Sequence, residues 1–208
     1  MVRILFLSAN PDHSRKLNVG QEFNGIYARI RCSEYRDQFE LQQRNAVSLS
    51  ELQDHILDTR PNIVHFSGHG TAKGMLIFEN AYGRAQKASP KALSDLFGIV
   101  NGDDTISHEE KIRLVVLSAC YAEKQAKAIA KYVNSVIGIS DEIKDRSARS
   151  FSESFYRAIG YGQSLGNAFK LGRNQLGLVR DPDERTLKLL RIHPHAKDPS
   201  EEYFIRRT

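Results

Sequence analysis

Several classes of function find no support in this chain of 208 residues. Only two cysteines occur, Cys32 and Cys120, far apart in sequence. Two isolated thiols make no disulfide framework and point to a reducing, cytoplasmic setting. No apolar run approaches the ~18 residues of a membrane helix. The opening "VRILFL" leads straight into structure and has no secretory signal pattern. A phosphate-cradling G-x-x-x-x-G-K-[ST] loop is missing. Gly68, Gly70 and Gly74 come near G-x-G-x-x-G with one residue too many, and a strand pattern, "MLIF", follows where that fingerprint needs a helix. Ser118 lacks a G-x-S-x-G elbow. His65, His69 and Cys120 are zinc-ligand types without ligand spacing, and "HPH" at 193–195 is as isolated. No metal or organic cofactor is expected. The net charge of +5 is scattered. Basic clusters stand only at the termini ("HSRK", "IRRT"), with no aromatic-interleaved stripe, so neither nucleic acid nor membrane is an expected partner. Tryptophan is absent too, which excludes nothing.

What is present is an ordinary globular balance, 40% hydrophobic and 26% charged residues. The length suits one domain over residues 1–208, with a charged C-terminal tail at 181–208 of unclear role. Short apolar blocks alternate with helical spacing. "VRILFLSA" (2–9), "NIVHFSG" (62–68), "IRLVVLSA" (112–119) and "SVIGIS" (135–140) read as buried strands. The more polar "FELQQRNAV" (39–47) reads as an edge strand. Helices are expected over 18–33, 48–60 (opened by a Ser48/Glu51 capping box), 89–100, 121–133, 146–159 and 163–177. A hairpin is expected over 74–89, turning at "NAYG", and one strand in the tail at "LKLLRI". This order predicts an α/β/α sandwich around a mostly parallel sheet. Sites in such sheets form beyond the carboxyl ends of the strands.

Two chemically capable residues fall at such ends. His69 follows "IVHFS" and is bracketed by Gly68 and Gly70. Cys120 closes "IRLVVLSA" and is expected to open the helix 121–133, where a helix N-terminus favours the thiolate. A thiol beside an imidazole is the minimal apparatus for nucleophilic acyl transfer. The N–H groups of Gly70 and Cys120 are candidates for an oxyanion hole. His65, in mid-strand, reads as a packed or hydrogen-bonded structural histidine.

"IVHFSGHG", "RLVVLSACYAEKQA" and "SVIGISDEIKDRSARSFSESFYRAIGYGQSLGNAF" together resemble the CHAT domains, prokaryotic cysteine peptidases related to caspases, separase and gingipains. The caspase motif Q-A-C-[RQG]-G is absent, "SACYA" standing in its place, so the resemblance is to the broader superfamily. It implies a caspase-hemoglobinase-like fold with His69 as base, Cys120 as nucleophile, and Gly70 and Cys120 N–H at the oxyanion. It also implies a protein or peptide substrate, and control by a regulatory partner in trans, often in antiphage defence. Acids in "GISDEIKD", foremost Asp141 and Asp145, are candidates for an S1 pocket that receives Arg or Lys; a helix start decorated with acids is the plainer alternative. The loops 71–88 and 140–150 are expected to flank the dyad. A non-catalytic scaffold of the same fold is the alternative function.

Overall fold

The computed structural model describes residues 1–12, 16–103, 105–193 and 196–205. Most of "HSRK" and "IRRT", and Pro194 and His195 of "HPH", lie outside the described residues. Along the chain run β1 (Val2–Ser8), α1 (Val19–Arg31), β2 (Phe39–Arg44), α2 (Leu52–Thr59), β3 (Ile63–Ser67), β4 (His69–Gly70), β5 (Leu76–Glu79) and β6 (Ala85–Ala88). There follow α3 (Pro90–Asn101), β7 (Leu114–Ser118), α4 (Glu123–Ile129), β8 (Ser135–Ile139), α5 (Asp145–Gly160), α6 (Leu165–Leu178) and β9 (Leu187–Leu190). The main sheet has the order β2-β1-β3-β7-β8-β9. Its first five strands are parallel, and β9 runs antiparallel against β8.

Alternation along each strand divides the core between two faces. Leu5, Leu7, Val64, Phe66, Val115 and Leu117 face α2, α3 and α4. Ile4, Phe6, Ile63, Leu114, Val116 and Ile137 face α1, α5 and α6. The expected α/β/α sandwich is therefore present. β2 is the polar edge strand that its sequence suggests. The hairpin turns where expected, with the Asn80 side-chain oxygen accepting from the N–H groups of Tyr82 and Arg84. Ser89 caps α3 by accepting from Ala92 N–H at 3.1 Å, with Pro90 at the first helical position. Ser89→Ala is expected to cost about 1 kcal/mol in urea unfolding, the usual worth of such a cap; an unchanged midpoint would mean that α3 is held by its packing alone.

Two expectations need correcting, and the tail gains a role. Half of the Ser48/Glu51 box forms, with the Ser48 N–H donating to the Glu51 carboxylate at 3.4 Å, but the Ser48 hydroxyl donates to the same carboxylate at 2.6 Å instead of capping, and the helix starts only at Leu52. The backbone at 47–48 is recruited instead by Glu79, through a Glu79 N–H bond to Val47 O and a bridge to Ser48. The regular helix expected over 121–133 is confined to Glu123–Ile129, because Tyr121 takes a left-handed φ of 55° and delays its start. The inner-face residues Ala122, Ala126, Ile129, Ala130 and Val133 are nevertheless all buried. The tail, whose role the sequence left open, is structural and carries the strand expected at "LKLLRI". β9 covers the β8 edge, and Glu202, Phe204 and Ile205 are buried, with Glu202 paired to Arg113 at 3.0 Å. Arg113 also lies 4.3 Å from the Phe204 ring centre.

Candidate active site

The register between β3 and β7 builds the site. Ser67 stands opposite Ser118 as the last pair of that register, so His69 and Cys120 each follow it by two residues. The Gly68 N–H still donates to Ser118 O at 3.2 Å. One residue further, an added Cβ at Gly70 would lie 1.8 Å from the Cys120 carbonyl oxygen. The two backbones are thus in contact, and only glycine fits. His69, Gly70 and Cys120 are all half-buried at the rim of the sheet.

The short strand β4 was not foreseen from sequence. It pairs with β5, Gly70 opposite Leu76, in a separate antiparallel sheet β4-β5-β6. Thr71 N–H donates to Met75 O at 2.9 Å, which makes 71–75 a hydrogen-bonded pair. By the alternation of antiparallel ladders, Gly70–Leu76 is a non-bonded pair, and the Gly70 N–H points away from β5.

Cys120 does not open α4. Ala122 is the N-cap, and left-handed Tyr121 intervenes. The helix-dipole argument for the thiolate therefore loses its geometry. The thiol instead faces Ile143 O at 3.9 Å, and Tyr121 N–H donates to Asp141 O at 3.2 Å. These contacts bring the 140–144 loop against Cys120 and Tyr121. Partial burial, with Glu142 and Asp141 beside it and hydrogen-bonded to it, pushes the Tyr121 hydroxyl up from its ordinary value. Asp141 is exposed, and its carboxylate accepts Glu142 N–H at 2.8 Å. Asp145 is the first residue of α5 and pairs with Arg149 one turn on, at 3.4 Å. Of the two acids singled out from sequence, Asp141 lies beside the Cys120–Tyr121 turn, whereas Asp145 is engaged by its own helix.

Sequence reasoning missed Asn10. Its side-chain oxygen lies 3.4 Å from His69 Nε2. The side-chain amide is held in turn by both backbone groups of Leu17, and the Asn10 backbone N–H donates to the Glu79 carboxylate at 2.7 Å. "NP" reads as a turn that closes β1, and nothing local marks the asparagine as more. His65 is the core histidine expected. It is fully buried, with Nε2 3.2 Å from Glu22 and Nδ1 3.2 Å from the Tyr156 hydroxyl. Both its ring nitrogens are used, which removes it from any zinc set with His69 and Cys120.

A six-stranded, mostly parallel sheet between helical layers, with its site beyond β3 and β7, defines a caspase-like α/β fold. A structure of caspase-1 from Spodoptera frugiperda matches with a TM-score of 0.59 at 11% identity, covering 97% of this chain and 90% of that one. A secreted C11 cysteine protease from Bacteroides thetaiotaomicron, in complex with an irreversible peptide inhibitor, matches with a TM-score of 0.53 at 12% identity, over 76% of this chain and 56% of that one. The CHAT domain family matches residues 8–200, and the chain belongs to that family. A Roc-COR-CHAT protease of an unknown prokaryotic organism is 25% identical over 183 residues, 88% of this chain. A probable protease of Gillisia limnaea is 25% identical over 164 residues, 78% of this chain. The chain spans only 17% and 28% of the lengths of these two relatives. No helix among the described residues is long and apolar enough to cross a membrane.

Proposed function

We propose that this chain is a cysteine endopeptidase with Cys120 as nucleophile and His69 as general base and acid. The observation that supports this reading is the backbone contact between Gly70 and Cys120, which brings the residue next to His69 against Cys120 at the open end of the sheet. In the proposed cycle His69 takes the thiol proton. Sγ then attacks the peptide carbonyl carbon, and the electron pair of the C=O bond moves to oxygen. The N–H of Gly70, turned away from β5, and that of Cys120 receive the oxyanion. Collapse breaks the C–N bond, and His69 protonates the leaving amine. Water, activated by His69, then hydrolyses the thioester. Asn10 accepts from His69 Nε2–H, which leaves Nδ1 as the basic nitrogen.

The same proposal assigns an S1 role to Asp141, with Asp145 as the second acid, and expects a basic residue before the scissile bond. Tyr121 bonds the Asp141 carboxylate, and the thiol rests on Ile143 O. Both contacts suit a latent site that a protein partner opens by moving the 140–144 loop. The cytoplasmic, prokaryotic and antiphage setting belongs to this reading as well, on the strength of the sequence resemblance and the two unpaired cysteines.

The test is iodoacetamide alkylation of Cys120 against pH, in wild type and His69→Ala, with the exposed Cys32 replaced by Ser in both. Cys120 is expected to alkylate faster at neutral pH in wild type than in His69→Ala, because the imidazole takes its proton. Superimposable curves would mean a site that is closed or none at all, and curves that stay superimposable when candidate partners are added would refute the dyad.

A further inference from the structure

We infer that Glu22, which stands in the first turn of α1, is a positioning residue that ties together the two strand tips carrying His69 and Cys120. The inference deepens the peptidase reading and rests on it for its catalytic meaning. Glu22 is only 3% exposed, although it is a carboxylate. Its Oε2 accepts from Ser67 Oγ at 2.6 Å. Its Oε1 accepts from Ser118 Oγ at 3.0 Å, Ser152 Oγ at 2.8 Å and His65 Nε2 at 3.2 Å. Ser67 is the last residue of β3 and Ser118 the last of β7, and they are register partners. Each stands two residues before a member of the proposed dyad. A single carboxylate from α1 therefore clasps both tips from below, with Ser152 anchoring it to α5.

Such a group is costly unless every lone pair is used. Burial pushes the Glu22 carboxyl up, but the bonds from His65, Ser67 and Ser152 outweigh it and leave the group below its ordinary range. It is an anion at neutral pH, the form that accepts from all four donors. A core position merely needing volume would be filled by an apolar side chain at lower cost. What the carboxylate adds is a fixed spacing between adjacent strand ends, just where the ladder thins to the single Gly68–Ser118 bond. Dyad chemistry tolerates little displacement.

The test uses the full chain and two readouts. Glu22→Gln keeps the shape but loses one acceptor. Hydrogen exchange is expected to rise about tenfold or more at 68–70 and 119–121, with β1 unchanged. Cys120 alkylation at pH 7 should fall about tenfold or more. Ser67→Ala and Ser118→Ala should repeat both effects and add little on top of Glu22→Gln, because the groups act as one unit. These milder variants carry the test if Glu22→Gln fails to fold. Ser152→Ala, which touches the same carboxylate from α5, should loosen the tips least. Unchanged exchange at the tips, or a uniform rise across the core, overturns the inference whatever the enzyme does. If exchange responds as expected while wild-type alkylation ignores His69, the clasp stands and the peptidase reading falls.

Discussion

Gly70→Ala is expected to disable the site while leaving a folded but strained protein. The new Cβ would stand 1.8 Å from the Cys120 carbonyl oxygen and 3.0 Å from its carbon. Both are backbone atoms, so no rotamer change relieves the overlap, and β4 and the β7 tip must part. Overpacking of this kind costs about 3 kcal/mol, and a 1 Å displacement of reacting groups about 100-fold in rate. The measurement is Cys120 alkylation and peptide cleavage beside a urea midpoint. Gly83→Ala is the control. Its φ of 70° strains any other residue, but its nearest neighbour is the carboxylate end of the flexible Asp12 side chain, at 3.2 Å. That variant should lose about 1 kcal/mol and keep the site. Full activity in Gly70→Ala would mean that the close approach plays no part in aligning 69 with 120.

Cys120→Ala is expected to remove peptide cleavage altogether, by about 10⁴-fold or more, the scale on which nucleophiles are missed in acyl-transfer enzymes. Its fold should survive. Cys120 is half-buried at the rim and belongs to neither apolar cluster, in contrast to its neighbours Ala119 and Ala122. Melting should therefore shift by under about 1 kcal/mol. A fluorogenic peptide panel with Arg or Lys before the scissile bond, read beside circular dichroism, separates lost chemistry from lost structure. Cleavage that persists in the variant would refute Cys120 as nucleophile.

The central strands were legible because "VRILFLS" and "LVVLS" carry apolar residues on both faces, and only a sheet covered on both sides can bury them. The candidate positions, His69 and Cys120, stood out because reactive side chains at strand ends have little packing reason to be there. Other features depend on contacts that no local pattern encodes. Tyr121 adopts a backbone conformation that its residue type disfavours, so the late start of α4 could not be read. β4 is two residues long and exists only because β5 lies beside it. Glu22 falls within the apolar stripe of α1, between Val19 and Ile26, yet its four donors come from β3, β7 and α5. The role of the tail was not legible because Glu202 finds its partner, Arg113, 89 positions away.

The pairing of β3 with β7 also governs when His69 and Cys120 come near each other. His69 and Cys120 are separated by 120 − 69 = 51 positions, and their strands meet only after the whole intervening hairpin and α3 have been looped out. Pairings between distant segments form late, since the loop entropy is lost before any contact offsets it. On the peptidase reading, a chain still emerging from the ribosome, or one partly unfolded, holds an imidazole and a thiol that have never met. Such an enzyme would have no means to cut itself during its own synthesis, and a loosened β3–β7 seam would silence it before it could do harm.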